Sequence, residues 1–311
     1  MNKKLVVKPS GIGGQAVLEG VMMKNRDRYA VAVRKPDGEI EVEKGHCQSL
    51  RDKYFACDLP IIRGVVTFVE SLVLGMKSLT DSSKYYEDEE EENGQQQMDD
   101  AAKERHEKIE TTFTVILSIV LAVGIFMVLP FFISELLKSI IKSAKVLAVI
   151  EGIIRIILFI GYVFAISFVE DIKRVFMYHG AEHKTINCVE HMLPLTVENV
   201  RKQSREHKRC GTSFIFIVLF ISIIFFIFIR VDNMWLKVLY RIVLVPVIAG
   251  VSYEFIRLAG KSENALVNIL SKPGMMLQKL TTKEPDDSMI EVAIASVEAV
   301  FDWKKFQEDS K

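Results

Sequence analysis

The segment TTFTVILSIVLAVGIFMVLPFFIS, residues 111–134, decides the fold class because it contains no charged side chain. A helix rises about 1.5 Å per residue, so a segment of this length can cross a hydrocarbon core about 30 Å thick. Half of all residues in the chain are hydrophobic, and the mean hydropathy is positive. The sequence therefore predicts a membrane protein.

Three further segments are predicted to span the membrane. Residues 211–229 are free of charge, whereas residues 146–169 and 238–258 each contain charged side chains. A charge at the bilayer centre costs roughly 2.5 to 3.5 kcal/mol, so we expect most of these charges near the helix ends. Glu151 and Arg155 are four residues apart and can pair along one helix face. The predicted fold class is a mainly α-helical, polytopic membrane protein with about four transmembrane helices.

The connections between these spans predict an orientation. Residues 170–211, between the second and third spans, carry most of the Lys and Arg residues of the connecting loops. The positive-inside rule places this loop in the cytoplasm, and four crossings then place both termini there, with no cleavable signal peptide. The four cysteines, Cys47, Cys57, Cys188 and Cys210, fall on that reducing side, so we expect thiols or metal ligands rather than disulfides.

The rest of the chain divides into regions of different composition. Residues 1–59 are predicted to be an amino-terminal cytoplasmic region, and residues 60–80 an amphipathic helix associated with the membrane. Residues 81–108 are acidic and polar and are predicted to be a flexible linker. Residues 109–258 are the four-span membrane domain with its cytoplasmic loop 170–211. Residues 259–311 are a carboxyl-terminal cytoplasmic tail that contains an amphipathic helix.

Two patterns predict local structure in the amino-terminal region. Apolar and polar residues alternate around Pro36-Asp37-Gly38, which is typical of a β-hairpin in which Val31 and Val33 face Ile40 and Val42. Residues 13–23 have too many glycines for a helix and too little alternation for an ordinary strand, so tight turns and close backbone packing are expected there.

The run His179-Gly180-Ala181-Glu182-His183 is the main indication of chemistry. Residues three and four apart share a helix face, so both imidazoles and the carboxylate can converge. The order His-x-x-Glu-His is used by inverted zinc peptidases, in which the histidines bind the metal and the glutamate is the general base. We therefore predict His179 and His183 as ligands of zinc or another divalent metal and Glu182 as a catalytic residue, provided that Gly180 does not break the helix.

Other polar residues allow three versions of this site: a catalytic metal site, a structural metal site and a polar network without metal. In the catalytic version, Glu254 is a further metal ligand, because the fourth span returns to the cytoplasmic side. In the alternative, one of the two histidines joins Cys188, His207 and Cys210 in a closed structural site. Without a metal, these groups would form a polar network at the membrane interface.

Several motifs together resemble one known family. They are Gly14-Gln15-Ala16-Val17 with Glu19-Gly20-Val21-Met22-Met23, the run from His179 to Lys184, Arg209-Cys210-Gly211-Thr212, and Pro273-Gly274 with the run from Leu280 to Asp287. This combination resembles the YqhQ family of bacterial membrane proteins over nearly the whole chain. That family is a domain of unknown function, and the resemblance implies a metal-dependent enzyme.

The resemblance implies a location in the bacterial cell membrane. It also implies a common site formed by His179, Glu182, His183, Cys188, His207 and Cys210.

Two hypotheses of different classes follow. The first is a metal-dependent hydrolase that acts on a membrane-associated substrate. The second is a non-enzymatic scaffold or membrane-protein biogenesis factor in which the loop docks a membrane-protein partner and any metal is structural. In both hypotheses the lipid bilayer surrounds the chain. Both are also compatible with a homo-oligomer. The formal net charge is zero, so no nucleic-acid partner is expected.

Overall fold

The computed structural model describes residues 8–87, 100–229, 231, 233–260 and 264–309. The chain forms two compact units. The sheet unit comprises Met1–Tyr86, Val163–Val218 and Ala249–Lys311, and the helix unit comprises Glu87–Tyr162 and Leu219–Ile248.

The sheet unit contains a four-stranded antiparallel sheet in which neighbouring strands follow each other along the chain. Its strands are β1 (Ile12–Val17), β2 (Gly20–Asn25), β3 (Arg28–Arg34) and β4 (Ile40–His46). The predicted hairpin is present as β3 and β4. The glycine-rich stretch forms a second hairpin, β1 and β2, which the sequence analysis did not predict. A Cβ at Gly20 would lie 2.3 Å from the carbonyl oxygen of Ala32, so this strand needs glycine for close approach.

The pairing of β3 with β4 differs by one residue from the predicted one. Val31 and Val33 lie opposite Glu43 and Glu41, and not opposite Ile40 and Val42. The connection of five residues, 35–39, sets this register through a hydrogen bond from the Lys35 N–H to the Glu39 carbonyl. The two valines therefore face the opposite side of the sheet from Ile40 and Val42.

Both faces of the sheet are covered, which makes β3 a central buried strand. One face carries Val31 and Val33, which pack with Leu74 of the following helix. The other face carries Ala30 and Ala32, which pack in a core with apolar residues of three later helices. This second core is built from Tyr178, Ala181, Ile186, Cys188, Val189, Val200, Met289, Ile290, Val292, Ala293 and Val297.

The described helices follow the sheet in chain order. They are α1 (Leu50–Lys53), α2 (Ile62–Glu87), α3 (Asp100–Val123), α4 (Leu129–Leu136), α5 (Ala144–Ile166), α6 (Glu170–Glu190), α7 (Val197–Arg201), α8 (Gly211–Ile227), α9 (Met234–Ala259), α10 (Ala265–Thr281), α11 (Asp287–Val300) and α12 (Trp303–Glu308). A single π-helical turn, Gly124–Val128, joins α3 to α4.

Three helical segments within the described part of the chain are long and apolar enough to cross a membrane. They are Ile109–Ser139, Ala144–Ile166 and Met234–Ala259. The predicted third span corresponds to α8, which is apolar but has only 17 residues. The protein is therefore mainly helical, with a small amino-terminal sheet and three helices of membrane-spanning length.

Several predicted boundaries differ from those of the helices. The predicted amphipathic helix at 60–80 extends as α2 to Glu87, and residues 100–108 belong to α3. Both ends of the predicted linker 81–108 are thus helical, while residues 88–99 lie outside the described part. The predicted carboxyl-terminal tail contains three helices, and its last predicted helix is divided between Val300 and Trp303.

Charged residues in the helix unit form a buried cluster. Glu151 is 2% exposed and accepts hydrogen bonds from Arg155 at 2.8 Å and from Arg241 at 2.9 and 2.6 Å. Arg155 also donates to the Phe126 carbonyl and to the Ser222 hydroxyl. The predicted pair of Glu151 with Arg155 is therefore present and includes a second arginine. One carboxylate compensates two guanidinium groups, so the cluster depends on Glu151.

We expect Glu151→Gln to lower the free energy of unfolding by about 3 to 5 kcal/mol, because two buried guanidinium groups lose their counter-charge. The matched control is Glu135→Gln, which removes a half-exposed partner of Lys138 and should cost less than about 1 kcal/mol. Unfolding of the purified protein in detergent micelles by titration with sodium dodecyl sulfate measures both values. Equal losses in the two variants would contradict this role of Glu151.

Candidate functional site

Helix α6 carries the His-x-x-Glu-His run without interruption, so Gly180 does not break the helix. The glycine has a packing reason. A Cβ at Gly180 would lie 2.1 Å from the carbonyl oxygen of Lys283, and the Lys283 N–H donates to the Phe176 carbonyl at 2.8 Å. The segment after α10 therefore lies directly on α6 at this position, which only a residue without a side chain permits.

His179, His183 and Cys210 form one cluster. Each offers a ligand atom, and these three atoms lie within 4.8 Å of one another. The imidazole centroids are 4.4 Å apart, and the Cys210 Sγ lies 3.3 Å from the His179 Nε2. His183 and Cys210 are 1% and 6% exposed. The structure thus brings together three of the six predicted metal ligands.

Main-chain groups hold both imidazoles and the thiol in place. The Nδ1 atom of His179 is 2.9 Å from the Thr281 carbonyl oxygen, and the Nδ1 atom of His183 is bonded to the Arg205 carbonyl. A carbonyl accepts only, so Nδ1 carries a proton, and the lone pair of the neutral imidazole is on Nε2. The Thr212 N–H donates to the Cys210 Sγ at 3.4 Å. Histidines that bind metals are commonly oriented in this way, by a carbonyl that accepts from the nitrogen turned away from the metal.

Glu182 lies on the same helix face and is 5% exposed. Among the described residues, its Oε2 atom is a buried polar atom without a hydrogen-bond partner. Burial raises the pKa of Glu182 to about 7, although the nearby His179 opposes this effect. At neutral pH the group is therefore divided between its two protonation states, which suits it to accept and return a proton.

His207 lies beside the cluster and belongs to a second network. Its ring centroid is 5.8 Å from that of His183, and its Nε2 atom is 3.4 Å from the Glu190 carboxylate. Glu190 also accepts hydrogen bonds from Ser10 and Arg209. Burial would raise the pKa of Glu190, but the His207 hydrogen bond and the Arg209 charge lower it to about 2. Burial lowers the pKa of His207. This network fixes the segment that precedes Cys210.

The low pKa of Glu190 predicts sensitivity to acid. Because the folded-state pKa lies below the ordinary value, the carboxylate stabilises the fold at neutral pH, and this contribution is lost as the pH falls toward 2. It amounts to about 3 kcal/mol at most. We expect Glu190→Gln to lower the melting temperature at pH 7 and to flatten its decline between pH 5 and pH 3, as measured by scanning fluorimetry.

The exposed Glu198, which pairs with Lys202, provides the control for this measurement. Glu198→Gln should leave the pH profile of the melting temperature unchanged. Parallel profiles for the wild type and Glu190→Gln would show that Glu190 does not carry the acid sensitivity.

Two predicted ligands lie elsewhere in the sheet unit. The Cys188 thiol faces the carbonyls of Leu193 and Pro194 in the apolar core, and burial raises its pKa to about 11. Glu254 accepts hydrogen bonds from the Nε and Nη2 atoms of Arg63. Neither side chain joins the cluster of His179 and Cys210, because each is held by partners of its own.

Sequence reasoning missed the groups that orient the cluster. The Thr281 carbonyl, the Arg205 carbonyl and the Thr212 N–H are main-chain groups, which have no signature in side-chain spacing. Gln278 is fully buried and bonds both main-chain groups of His207 at 2.8 Å. The only signal was indirect, since Thr212 and Thr281 fall in motifs that carry the family resemblance.

The structure thus defines a mainly helical protein with three helices of membrane-spanning length and a buried cluster of two histidines and a cysteine. The chain belongs to the family described as protein of unknown function DUF1385, whose model matches residues 59–303. It is 36% identical over 290 residues to the uncharacterized protein YqhQ of Bacillus subtilis (strain 168). This alignment covers 93% of the chain and 91% of that relative. No solved structure matches the chain. The predicted family is confirmed, and its description names no activity.

Proposed function

We propose that this protein is a metal-dependent hydrolase of the membrane that uses His179, His183 and Cys210 as ligands and Glu182 as general base. The observation that carries the proposal is the arrangement of the two imidazoles. Both Nδ1 atoms are engaged by main-chain carbonyls, the His179 Nε2 lies 3.3 Å from the Cys210 Sγ, and His183 offers a ring nitrogen to the same cluster. Histidines that only fill a core have no need of this shared orientation.

The donor set fits zinc. Two imidazole nitrogens and a thiolate are ligands that zinc accepts, and the Thr212 N–H would stabilise the thiolate charge. Three protein ligands leave one tetrahedral position for water, which is the pattern of catalytic rather than structural sites. Zinc in such a site acts as a Lewis acid and lowers the pKa of water.

Glu182 supplies the proton-transfer group. Its Oε2 atom has no partner among the described residues, and its burial brings its pKa to about 7. A carboxylate in this state can accept a proton from the attacking water and pass it to the leaving group. A buried carboxylate with a free oxygen costs stability, so its place on the face of His179 and His183 favours a chemical role.

Metal analysis tests the ligand set. We expect purified wild-type protein to contain one equivalent of zinc by mass spectrometry, and His179→Ala and Cys210→Ser to lose most of it, because each removes a ligand. Cys188→Ala is the matched control and should keep its zinc, since that thiol lies in the apolar core. Glu182→Gln should also keep its zinc.

The outcomes separate three possibilities. Zinc-free wild-type protein, or full zinc in Cys210→Ser, would contradict the proposed site. Zinc that is retained in Glu182→Gln together with loss of the cellular phenotype of the wild type supports a hydrolase. A Glu182→Gln protein that complements a deletion fully, while Cys210→Ser does not, would indicate the scaffold hypothesis with a structural metal.

We also propose four crossings with both termini in the cytoplasm. Helix α8 is an apolar helix of 17 residues, which at 1.5 Å per residue reach about 25 Å, the lower limit for a crossing. The excess of Lys and Arg in residues 170–211 supports a cytoplasmic position for α6 and the cluster. Hydrolysis of the substrate would then take place on the inner side of the membrane.

Cysteine labelling tests this topology in a background with Cys47 and Cys57 replaced by serine. A membrane-impermeant maleimide should label Lys142→Cys and Asn233→Cys on intact spheroplasts, and Glu198→Cys only after permeabilisation. Asn233 follows α8, so it reaches the outer face only if this short helix crosses. An Asn233→Cys variant that reacts only after permeabilisation would reduce the number of crossings to three.

A further inference from the structure

Within the described residues, strand β1 is an edge strand whose outer side pairs with no other strand. It is the first strand in the sheet and pairs only with β2. The turn at Leu18 and Glu19 makes Val17 and Gly20 the closing pair, so the alternate residues Gly14 and Ala16 direct their main-chain groups away from β2. In the described part of the chain, no hydrogen bond satisfies these outward groups. Such an edge is a template for another strand.

Glycines keep this edge open. A Cβ added at Gly11 or Gly13 would meet nothing within 4 Å, so both face open space. That space is a cavity of 830 Å³ lined by residues of β1 and β2, by α1 and α2, and by Arg209 and Tyr253. Glycine inside a strand weakens it and often marks the close approach of a ligand or another backbone. Packing against the described residues therefore does not explain the glycine at position 13.

Gly13 and Gly14 face opposite sides of β1, so the strand separates this cavity from the candidate catalytic group, and a strand added at the edge would have side chains on both sides. A Cβ at Gly14 would lie 2.9 Å from the Cγ of Glu182, so the Glu182 side chain packs directly on β1 at this residue. Gly14 is also in the cavity wall, together with Arg209, the residue before Cys210. A chain that pairs with β1 at Gly14 would pass beside both Glu182 and the Cys210 segment.

The cavity wall is polar and carries both signs of charge. Lys24 and Arg26 lie in the same wall as Asp52 and Glu70. A polypeptide, with alternating donors and acceptors along its main chain, matches such a wall, whereas a lipid acyl chain does not.

We propose that the substrate is an extended polypeptide that adds to β1 as a further strand and presents a peptide bond to Glu182. This inference deepens the proposed hydrolase and rests on it for the identity of the reaction. Main-chain hydrogen bonds to Gly14 and Ala16 provide the affinity, so the site would accept peptides of many different sequences. In the hydrolysis, water adds to the carbonyl carbon, the C–N bond breaks, and Glu182 transfers the proton from water to the leaving amine.

Binding of a fluorescein-labelled degenerate nonapeptide library to the full-length Glu182→Gln protein in detergent tests this inference. The Glu182→Gln background prevents cleavage, and fluorescence anisotropy reports binding alone. Ala16→Pro in this background should raise the Kd about ten-fold, because proline removes an outward N–H without disturbing the pairing with β2. Gly13→Phe should have an effect at least as large, because its ring fills the cavity while its Cβ meets no neighbour.

Lys44→Pro is the matched control, since it places the same residue on the other edge strand, β4, and should leave the Kd unchanged. A library that does not bind, or that binds Ala16→Pro and Gly13→Phe as tightly as the parent, overturns the proposal. Displacement by anionic phospholipid vesicles without sensitivity to Ala16→Pro would assign the cavity to a lipid headgroup and also overturns it. A dimer that dissociates in Ala16→Pro would assign the edge to a second copy, with the same consequence.

The experiment separates this inference from the proposed function. Peptide binding needs neither zinc nor an active Glu182. Zinc-free protein that still binds the library would contradict the metal-dependent hydrolase and support peptide binding at β1. Zinc-loaded protein that does not bind the library would contradict peptide binding and leave the metal site supported.

Discussion

The burial of a polar helix is the constraint on which the sheet unit depends. All residues of α6 from 180 to 190 are buried, although they include Glu182, His183, Lys184, Asn187 and Glu190. A buried polar group costs free energy unless it is hydrogen-bonded, so each of these side chains requires a partner from the surrounding segments. Those segments are residues 8–10, 194–213 and 278–284, and their carbonyls and side chains provide the partners.

The same constraint distinguishes Glu182 from the other buried polar groups of α6. Lys184 and Asn187 donate to main-chain carbonyls, and Glu190 receives hydrogen bonds from several donors. Glu182 differs because one of its oxygens has no partner in the described part of the chain. In a helix where the neighbouring polar groups are satisfied, an unsatisfied carboxylate beside two oriented imidazoles is the feature that packing alone does not explain.

Sequence patterns predicted the features that depend on local periodicity. The long apolar helices, the β3–β4 hairpin and the helical face shared by His179 and His183 follow from spacing along the chain. The β1–β2 hairpin was missed because its glycines serve contacts with other strands and with Glu182, which are distant in sequence. Cys188 and Cys210 could not be told apart from sequence, since only packing directs one thiol into the core and the other toward His179.

The covering of the sheet by α11 has a consequence for biosynthesis. Ser296 donates to the carbonyl of Ala30, a contact that spans 266 residues of chain. The strands are synthesised before α11, yet one of their apolar faces is completed only when this helix packs on it. Contacts of such long range form late in folding. The nascent amino-terminal hairpins must therefore remain unaggregated while the intervening apolar helices are synthesised.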